Sequence, residues 1–389
     1  MRSSTYHHLG LVMCGLLPLL ASLKGLMIPA NVTLLVPAAA FLVLFTGRWR
    51  EIGLASLSDL GLIGLVTFML LRVLASLNVV LEQPLEYGLH VVSLLLVCPF
   101  MYFAGRVMAT GLRSEEAIRL LALNVVIVIG FLVITIAAPE FVRRNGLEAS
   151  SYYQYMGDGL AITALIAWAR GYRPRFYWPY LLTAVLLVSI GSRASAVAYV
   201  VAMAFSNLRF MLTAGIVAAP VGLWLLGAIE RGAGLDWAGQ FRVLSTFLDF
   251  YLQDAEDASF SERQQYFDNA MNVIQNNPLS GQVAYEVRGG ELGEFVHNIL
   301  HLWANFGALA FLLMLLVIFG APAARLFSKS PASDRHALPL LAFVATELLF
   351  FRHPENVGLF FALGVLATFY AQRNELNSAP YLRQSAHVQ

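Results

Sequence analysis

Three basic side chains lie within the longest polar segment of the sequence or in the chain on either side of it, where they could bind or react with a charged substrate. The first, Arg193, lies between two short apolar runs in the sequence Gly191-Ser192-Arg193-Ala194. An arginine at membrane depth is costly and usually pairs with another group or lines a wet cavity. Its guanidinium can also bind phosphate oxygens through two parallel hydrogen bonds. We therefore interpret Arg193 as a functional residue rather than as a charge that only sets topology.

Arg263 and His297 are the other two. Arg263 lies in the first turn of a predicted helix, where cations are mildly disfavoured, and on residue physics alone it is better explained as a solvated residue or as a weak surface pair with Glu262. His297 and Asn298 open the next apolar run, and histidine suits general base catalysis near neutral pH, although a lone interfacial histidine is more often structural. His301 follows one turn later. This HxxxH spacing lacks the glutamate of HExxH, and the polar segment has no cysteine, so the sequence predicts no metal site.

Other charged or polar residues lie within or beside the apolar runs. A charge at membrane depth is a candidate site residue by default, because burying it is expensive. Asp158 is one such charge. Glu347 and Arg352 are five residues apart, which is not the spacing of an aligned helical pair, although they can bracket a polar pocket. The secondary candidates are Arg72, Arg288, Asn298, His301, Glu347 and Arg352.

The composition indicates which kind of fold must position these residues. Of 389 residues, 58% are hydrophobic and only 13% are charged, whereas soluble domains have roughly 25% charged residues. Such a chain has too little polar surface for an ordinary soluble enzyme, and it is neither disordered nor fibrous. The net charge of +1 argues against nucleic acid as a partner. Both cysteines lie in apolar runs, which indicates neither a disulfide framework nor a CxxC metal site.

The apolar runs are continuous rather than alternating, so they predict helices, in which every backbone amide is paired inside a bilayer. By length, about twelve runs can cross a membrane. They lie near residues 9–27, 29–46, 57–78, 86–104, 118–138, 153–169, 177–191, 194–206, 210–228, 296–319, 337–351 and 356–371. The predicted fold class is an all-α polytopic membrane protein with about twelve transmembrane helices and one large outer loop.

Arginine and lysine are more numerous on one side of the predicted spans, which places both termini in the cytoplasm. The predicted organisation has about nine transmembrane helices in 1–228, the outer loop at 229–295, about three helices in 296–371 and a cytoplasmic tail at 372–389. The loop is net acidic, and two amphipathic helices are predicted within it. One has its apolar stripe at 237–252. The other begins at Ser261 with a capping-box pattern and stops at Asn276-Asn277-Pro278.

Three features follow one another in order around this loop. A Gly-Ser-Arg-Ala turn lies between two spans, Arg263 leads a helix that ends in Asn277-Pro278-Leu279-Ser280-Gly281, and His297-Asn298 opens the next span with Gly307 beyond it. This ordered set resembles the O-antigen polymerase and O-antigen ligase superfamily. The resemblance covers roughly residues 180–320 as motifs and most of the chain as topology. It implies a GT-C-like fold.

The resemblance implies a glycosyltransferase of the bacterial inner membrane whose active site faces the periplasm and which uses no metal or other cofactor. Donor and acceptor would be glycans carried on undecaprenyl pyrophosphate. By the same resemblance, Arg193 and Arg263 bind the pyrophosphate leaving group, and His297 is the base that activates the acceptor hydroxyl. The implied partners are this donor and acceptor, membrane lipid, a chain-length regulator and a flippase.

The spacing after His297 bears on which reaction is catalysed. Eight residues, Ile299 to Phe306, separate Asn298 from Gly307, whereas ligases usually have nine, and Ala310 replaces a second glycine. This spacing favours a polymerase over a ligase, which transfers the glycan to lipid A–core. A polysaccharide flippase or transporter is a further alternative, because about twelve spans suit that class equally well. So is a scaffold protein whose arginines serve only topology.

Overall fold

The computed structural model describes residues 56–110, 112–137, 151–172, 174, 177–190, 192–206, 258–288, 291–292, 296, 298–326, 336–354 and 356–385. Its helices are α1 (Leu57–Ala75), α2 (Leu77–Leu81), α3 (Leu85–Val92), α4 (Cys98–Ala109), α5 (Ser114–Ala137), α6 (Ser151–Ala169), α7 (Trp178–Ser189), α8 (Arg193–Ser206), α9 (Ala258–Asn276), α10 (Leu300–Phe306), α11 (Ala308–Leu326), α12 (Leu338–Thr346) and α13 (Val357–Ser385). A π-helical turn, Ser93–Val97, joins α3 to α4, and another, Glu347–Phe351, extends α12. A two-residue antiparallel ladder pairs β1 (Val287–Arg288) with β2 (Glu291–Leu292). The all-α expectation is confirmed for these residues.

Three of the described helices are long and apolar enough to cross a membrane: Leu57–Ala75, Tyr87–Ala109 and Ser114–Ile134. The shorter apolar helices are Trp178–Ser189, Ala194–Ala204, Ala308–Ala324, Leu338–Phe351 and Val357–Ala371. Large apolar side chains lie on the outer surface, as Leu60 and Leu71 do at 58% and 60% exposure. Helices with such surfaces are compatible with a protein whose solvent is lipid.

Several predicted limits differ from the observed ones. The span predicted at 296–319 is divided into α10 and α11, because Gly307 adopts a φ of 96° and the backbone of Leu279 leaves no room there for a Cβ. The loop helix ends at Asn276 as predicted, but it begins at Ala258 rather than Ser261, since a serine costs little inside a first turn. The last helix continues beyond 371 as far as Ser385.

Four predicted elements cannot be compared with the structure. The spans at 9–27, 29–46 and 210–228, and the amphipathic helix at 237–252, lie outside the described residues. The remaining predicted spans each correspond to described helices. The alternation of long apolar runs with short connections therefore predicted the described elements well, and their exact limits less well.

Two glycines allow α4 and α13 to cross in backbone contact. A Cβ at Gly105 would overlap the carbonyl oxygen of Phe361, and a Cβ at Gly364 would overlap that of Tyr102. Small residues at such crossings permit the close packing on which helix association in lipid depends. The other principal helix pairs are α1 with α11, α8 with α12, α5 with α6, and α9 with α10.

Buried polar contacts gather at the two opposite ends of these helices. At the end that we call the Asp59 end, the Arg106 guanidinium pairs with the Asp59 carboxylate, and Tyr102 Oη donates to Asp59 Oδ1 at 2.8 Å. Asp59 and Ser56 also form a reciprocal capping box at the start of α1. The other end, where residues 277–288 pack, is the loop end.

Candidate functional site

Four of the predicted site residues are placed by their backbone alone or not at all. Arg193 is the first residue of α8, Arg263 lies in α9 and Arg288 lies in β1, but their side chains lie outside the described part of the chain. His297 lies outside it altogether. The roles of these four side chains stay predictions, and the site is built here from the segments beside them.

A buried ion pair lies next to the start of α8. Arg352 Nε and Nη2 donate to the two carboxylate oxygens of Asp158, each at 3.1 Å. Nη2 also lies 3.0 Å from Ser195 Oγ and 3.5 Å from Ser192 Oγ, and these two hydroxyl oxygens are 2.6 Å apart. The turn that leads into Arg193 is thereby anchored to the chain that follows α12.

Two further side chains complete this Arg352 cluster, which comprises Asp158, Ser192, Ser195, Glu347, Arg352 and Asn356. Asn356 Nδ2 donates to Asp158 Oδ2 at 2.8 Å, and Glu347 Oε2 lies 3.4 Å from Arg352 Nε. Both carboxylates are buried. Because two carboxylates surround one guanidinium, Arg352 is neutralised within the protein and is poorly suited to bind a phosphate as well.

The π-helical turn explains how Glu347 and Arg352 meet. A spacing of five residues misaligns two side chains on an α-helix, but Glu347–Phe351 forms a π-helical turn, in which residues i and i+5 are paired. Arg352 N accordingly donates to the Glu347 carbonyl at 2.7 Å. The extra residue in this turn brings together two candidates that an α-helix would separate.

The turn after His297 contacts the same π-helical turn. Ile299 N donates to the Leu348 carbonyl at 2.9 Å. Asn298 Oδ1 accepts from Leu300 N at 2.9 Å, which satisfies one of the unpaired amides at the start of a helix. α10 begins at Leu300, with Ile299 as its N-cap residue, rather than at the His297-Asn298 pair, where the sequence predicted the opening of the span.

A second buried polar group of side chains lies at the loop end, around His301. His90 Nε2 and His301 Nε2 are 3.3 Å apart. The ring centroid of His353 lies 4.0 Å from that of His301 and 4.8 Å from that of His90. Glu286 Oε1 lies 3.6 Å from His90 Nε2, and its Oε2 lies 3.6 Å from His301 Nε2. We call His90, Glu286, His301 and His353 the histidine cluster.

Neighbouring groups hold the histidine cluster in place. Asn305 Nδ2 donates to Glu286 Oε2 at 2.7 Å, while Asn305 Oδ1 accepts from Ala284 N at 2.9 Å. Tyr285 Oη lies 3.3 Å from His301 Nδ1. Burial, and then the charge of Glu286, raise the pKa of Tyr285 well above its usual value. This phenol therefore stays protonated at neutral pH and is available for hydrogen bonding.

Arg72 connects α1 to the segment that follows α9. Its Nη2 atom donates to the Ser280 carbonyl at 2.6 Å. That segment is itself held against α10, since Gln282 N donates to the Ala304 carbonyl at 2.7 Å. Of the secondary candidates, Arg72 thus has a structural partner, and its contact fixes the segment after α9 to α1.

A narrow cleft extends from the Arg352 cluster between α6 and α13. Asp158 and Asn356 line it where it adjoins that cluster, and the remaining wall is predominantly apolar, with Ile162, Val357 and Phe361 among its residues. Its volume is about 30 Å³, whereas small-molecule sites have roughly 300–1,000 Å³. In this structure the cleft is therefore closed to a substrate, and it is a seam between two helices that ends at the Arg352 cluster.

The structure therefore groups the described candidates in a way that the sequence only partly indicated. Glu347 and Arg352 belong to one cluster, and His301 belongs to the other. Sequence reasoning missed His90, Glu286 and His353. The signal for His90 was a histidine inside an apolar run, but nothing in the sequence showed that it meets His301, which lies 211 residues away.

Comparison with protein-family models finds no match for this chain, and comparison with curated proteins finds none either.

Proposed function

We propose that this chain is an inner-membrane glycosyltransferase that joins oligosaccharide repeat units carried on undecaprenyl pyrophosphate into O-antigen or a related surface polysaccharide. The observation that carries the proposal is that two segments of the chain meet at the loop end. Ser192, which precedes Arg193, contacts Arg352, and Ile299, which follows His297 by two residues, contacts Leu348. The segments that hold the predicted anion-binding residue and the predicted base therefore meet the same short stretch, 347–352.

The helix that contains Arg263 reaches the same region. Ala270 and Ile274 of α9 pack with Val296 and Ala304 in one small apolar cluster. This packing fixes α9 against the segment around His297 and against α10. All three elements that carry the predicted catalytic and pyrophosphate-binding residues are thus held at one end of the helices, as a shared site requires.

In the proposed reaction, an acceptor hydroxyl attacks the anomeric carbon of the donor glycan opposite the leaving group, so the configuration inverts. His297 takes the proton of that hydroxyl as general base. The bond from the anomeric carbon to the pyrophosphate oxygen breaks, and undecaprenyl pyrophosphate leaves with the electron pair. Arg193 and Arg263 bind the charge that develops on this leaving group. Arg352, neutralised by Asp158 and Glu347, acts as a positioning residue for the turn that carries Arg193.

Apolar grooves between the helices would hold the lipid part of the donor. The cleft between α6 and α13 has a predominantly apolar wall and adjoins the Arg352 cluster, but its volume of about 30 Å³ admits an isoprenoid chain only if these two helices separate. The donor's position would then be set by hydrophobic contact, and the reaction by Arg193, Arg263 and His297.

The experiment that tests the proposal uses a strain from which the gene has been deleted, complemented with Arg263→Ala or His297→Ala. We expect both variants to accumulate in the membrane normally but to yield single capped repeats, because loss of a general base alone costs roughly 100-fold or more in rate. The measurement is glycan chain length by electrophoresis, with membrane protein quantified by immunoblotting. Gln264→Ala is the matched control, since Gln264 is an exposed neighbour of Arg263 on α9.

Each alternative function gives a different result in the same strain. Normal chain-length ladders from both variants would overturn the proposal. Long lipid-linked chains that accumulate without transfer would identify a ligase. Movement of lipid-linked glycan across vesicles by purified protein, with no new glycosidic bond, would identify a flippase.

A further inference from the structure

The histidine cluster has the donor set of a metal site. Its three imidazoles each place one ring nitrogen within 4.8 Å of the other two. Glu286 adds two carboxylate oxygens, one 3.6 Å from His90 Nε2 and the other 3.6 Å from His301 Nε2. The HxxxH pattern pairs only His297 with His301, whereas the four side chains of this cluster come from distant parts of the chain.

The separation between two of the imidazoles matches a tetrahedral ion. Zinc binds imidazole nitrogen and carboxylate oxygen at roughly 2.0–2.2 Å, so two ligand atoms of a regular tetrahedron lie about 3.3–3.6 Å apart. His90 Nε2 and His301 Nε2 are 3.3 Å apart. Glu286 would bind through Oε1, which lies 3.6 Å from His90 Nε2, while its Oε2 accepts from Asn305. His353, which is partly exposed, is the ligand that would move most when an ion binds.

The charges in the cluster also favour a cation. Glu286 and His301 are fully buried, and the carboxylate of Glu286 supplies negative charge that favours a bound cation. A divalent ion compensates this carboxylate and leaves the three imidazoles neutral, which is the form that binds metals. Imidazole ligands in tetrahedral geometry are typical of zinc.

Two hydrogen bonds around the cluster are of the kind that orient metal ligands. Asn305 Nδ2 holds Glu286 Oε2 at 2.7 Å. If His301 binds the ion through Nε2, its Nδ1 carries the proton and donates it to Tyr285 Oη, which lies 3.3 Å away. Metal-ligating histidines almost always have such a partner on the second ring nitrogen, because it fixes the tautomer and the ring orientation.

We propose that His90, His301, His353 and Glu286 bind one zinc ion in a closed, structural site at the loop end. The ion would join α3, the segment around Glu286, α10 and the chain that follows the π-helical turn. It takes no part in the glycosyl-transfer step, and the proposal does not depend on that function. Its consequence is that residues 281–288 are held to α3 and α10 through the ion as well as through the hydrogen bonds of Asn305.

The test uses the full-length protein purified in detergent, with any histidine tag removed, after incubation with zinc and gel filtration. We expect about one zinc per chain by elemental analysis, as four protein ligands make a single closed site. Cobalt substituted for zinc should give the visible absorption of a tetrahedral ion. We expect His353→Ala to weaken zinc affinity by at least about 100-fold, since it removes a ligand and not only an outer partner.

Two further variants keep the result decisive. His336→Ala is the matched control, because His336 is an exposed histidine outside the cluster, and it should retain the ion. Glu286→Gln tests the site through a side chain of the same shape and should weaken binding as His353→Ala does. A wild-type protein that retains no zinc, or an ion that persists in both His353→Ala and Glu286→Gln, would overturn the proposal whatever the polysaccharide assay shows.

Discussion

At the scale of single residues, the cost of burying charge made part of the site visible in the sequence. It singled out Asp158, Glu347 and Arg352, and these three side chains do form one buried cluster. Their pairing was beyond the sequence, because Asp158 and Arg352 lie 194 residues apart and a single chain carries no signal of which distant residues meet. Because distant contacts cannot be inferred from a single chain, the sequence also did not show that His90 and His353 are neighbours of His301.

The bidentate contact of Arg352 leads to a residue-scale prediction. Arg352→Lys keeps the charge but loses the planar fork that reaches both carboxylate oxygens of Asp158 and the Ser195 hydroxyl. We expect it to lower the free energy of unfolding by about 2 kcal/mol, the order of a hydrogen bond to a charged group. The measurement is denaturation in mixed micelles followed by circular dichroism.

Arg113→Lys is the control for this substitution, because Arg113 is exposed and surface changes of this kind have small effects. Equal stability of the wild type and Arg352→Lys would contradict the structural role given to the bidentate pair. It would also remove the reason for treating Arg352 as the residue that positions the turn before Arg193.

At the scale of elements, apolar run length predicted the helices but not their interruptions. The run at 296–319 is continuous in hydropathy, yet Gly307 divides it because the chain needs a positive φ where Leu279 approaches. Nothing in the sequence indicates the π-helical turn at Glu347–Phe351, although this turn determines that Glu347 and Arg352 meet. Both interruptions are set by tertiary contacts, and the local hydropathy pattern carries no information about such contacts.

The crossing of α4 and α13 gives an element-scale prediction. Gly364→Ala places a methyl group against the backbone of Tyr102, which must force the two helices apart. We expect a loss of about 3 kcal/mol of stability, at the upper end of the usual cost of overpacking. The measurement is the thermal shift of the protein in detergent.

Gly130→Ala is the matched control, because nothing lies within 4 Å of a Cβ at this position on α5. Alanine favours helix over glycine by roughly 1 kcal/mol, so this variant should be as stable as the wild type or slightly more stable. If Gly364→Ala behaved in the same way, the two helices would not be packed in backbone contact.

At the scale of the whole molecule, the described polar groups separate into two sets at opposite helix ends. Asp59 and Arg106 lie at one end, and the Arg352 and histidine clusters lie at the other. The sequence predicted such a separation through the distribution of arginine and lysine, which placed both termini on one side of the membrane and the loop at 229–295 on the other. It could not predict that the scattered charges of the loop end form two compact clusters, because that depends on helix packing.

This separation predicts which positions a reagent reaches from outside the cell. In a background with Cys14 and Cys98 replaced by alanine, Gln282→Cys at the loop end and Arg113→Cys at the Asp59 end both place an exposed thiol. With cytoplasmic termini, a charged maleimide that cannot cross the inner membrane should label Gln282→Cys in intact cells. It should label Arg113→Cys only after the inner membrane is permeabilised. The reverse labelling pattern would place Arg193 and His297 on the cytoplasmic side, where no periplasmic polymerisation can occur. Labelling of both cysteine variants in intact cells would mean that no membrane separates the two ends.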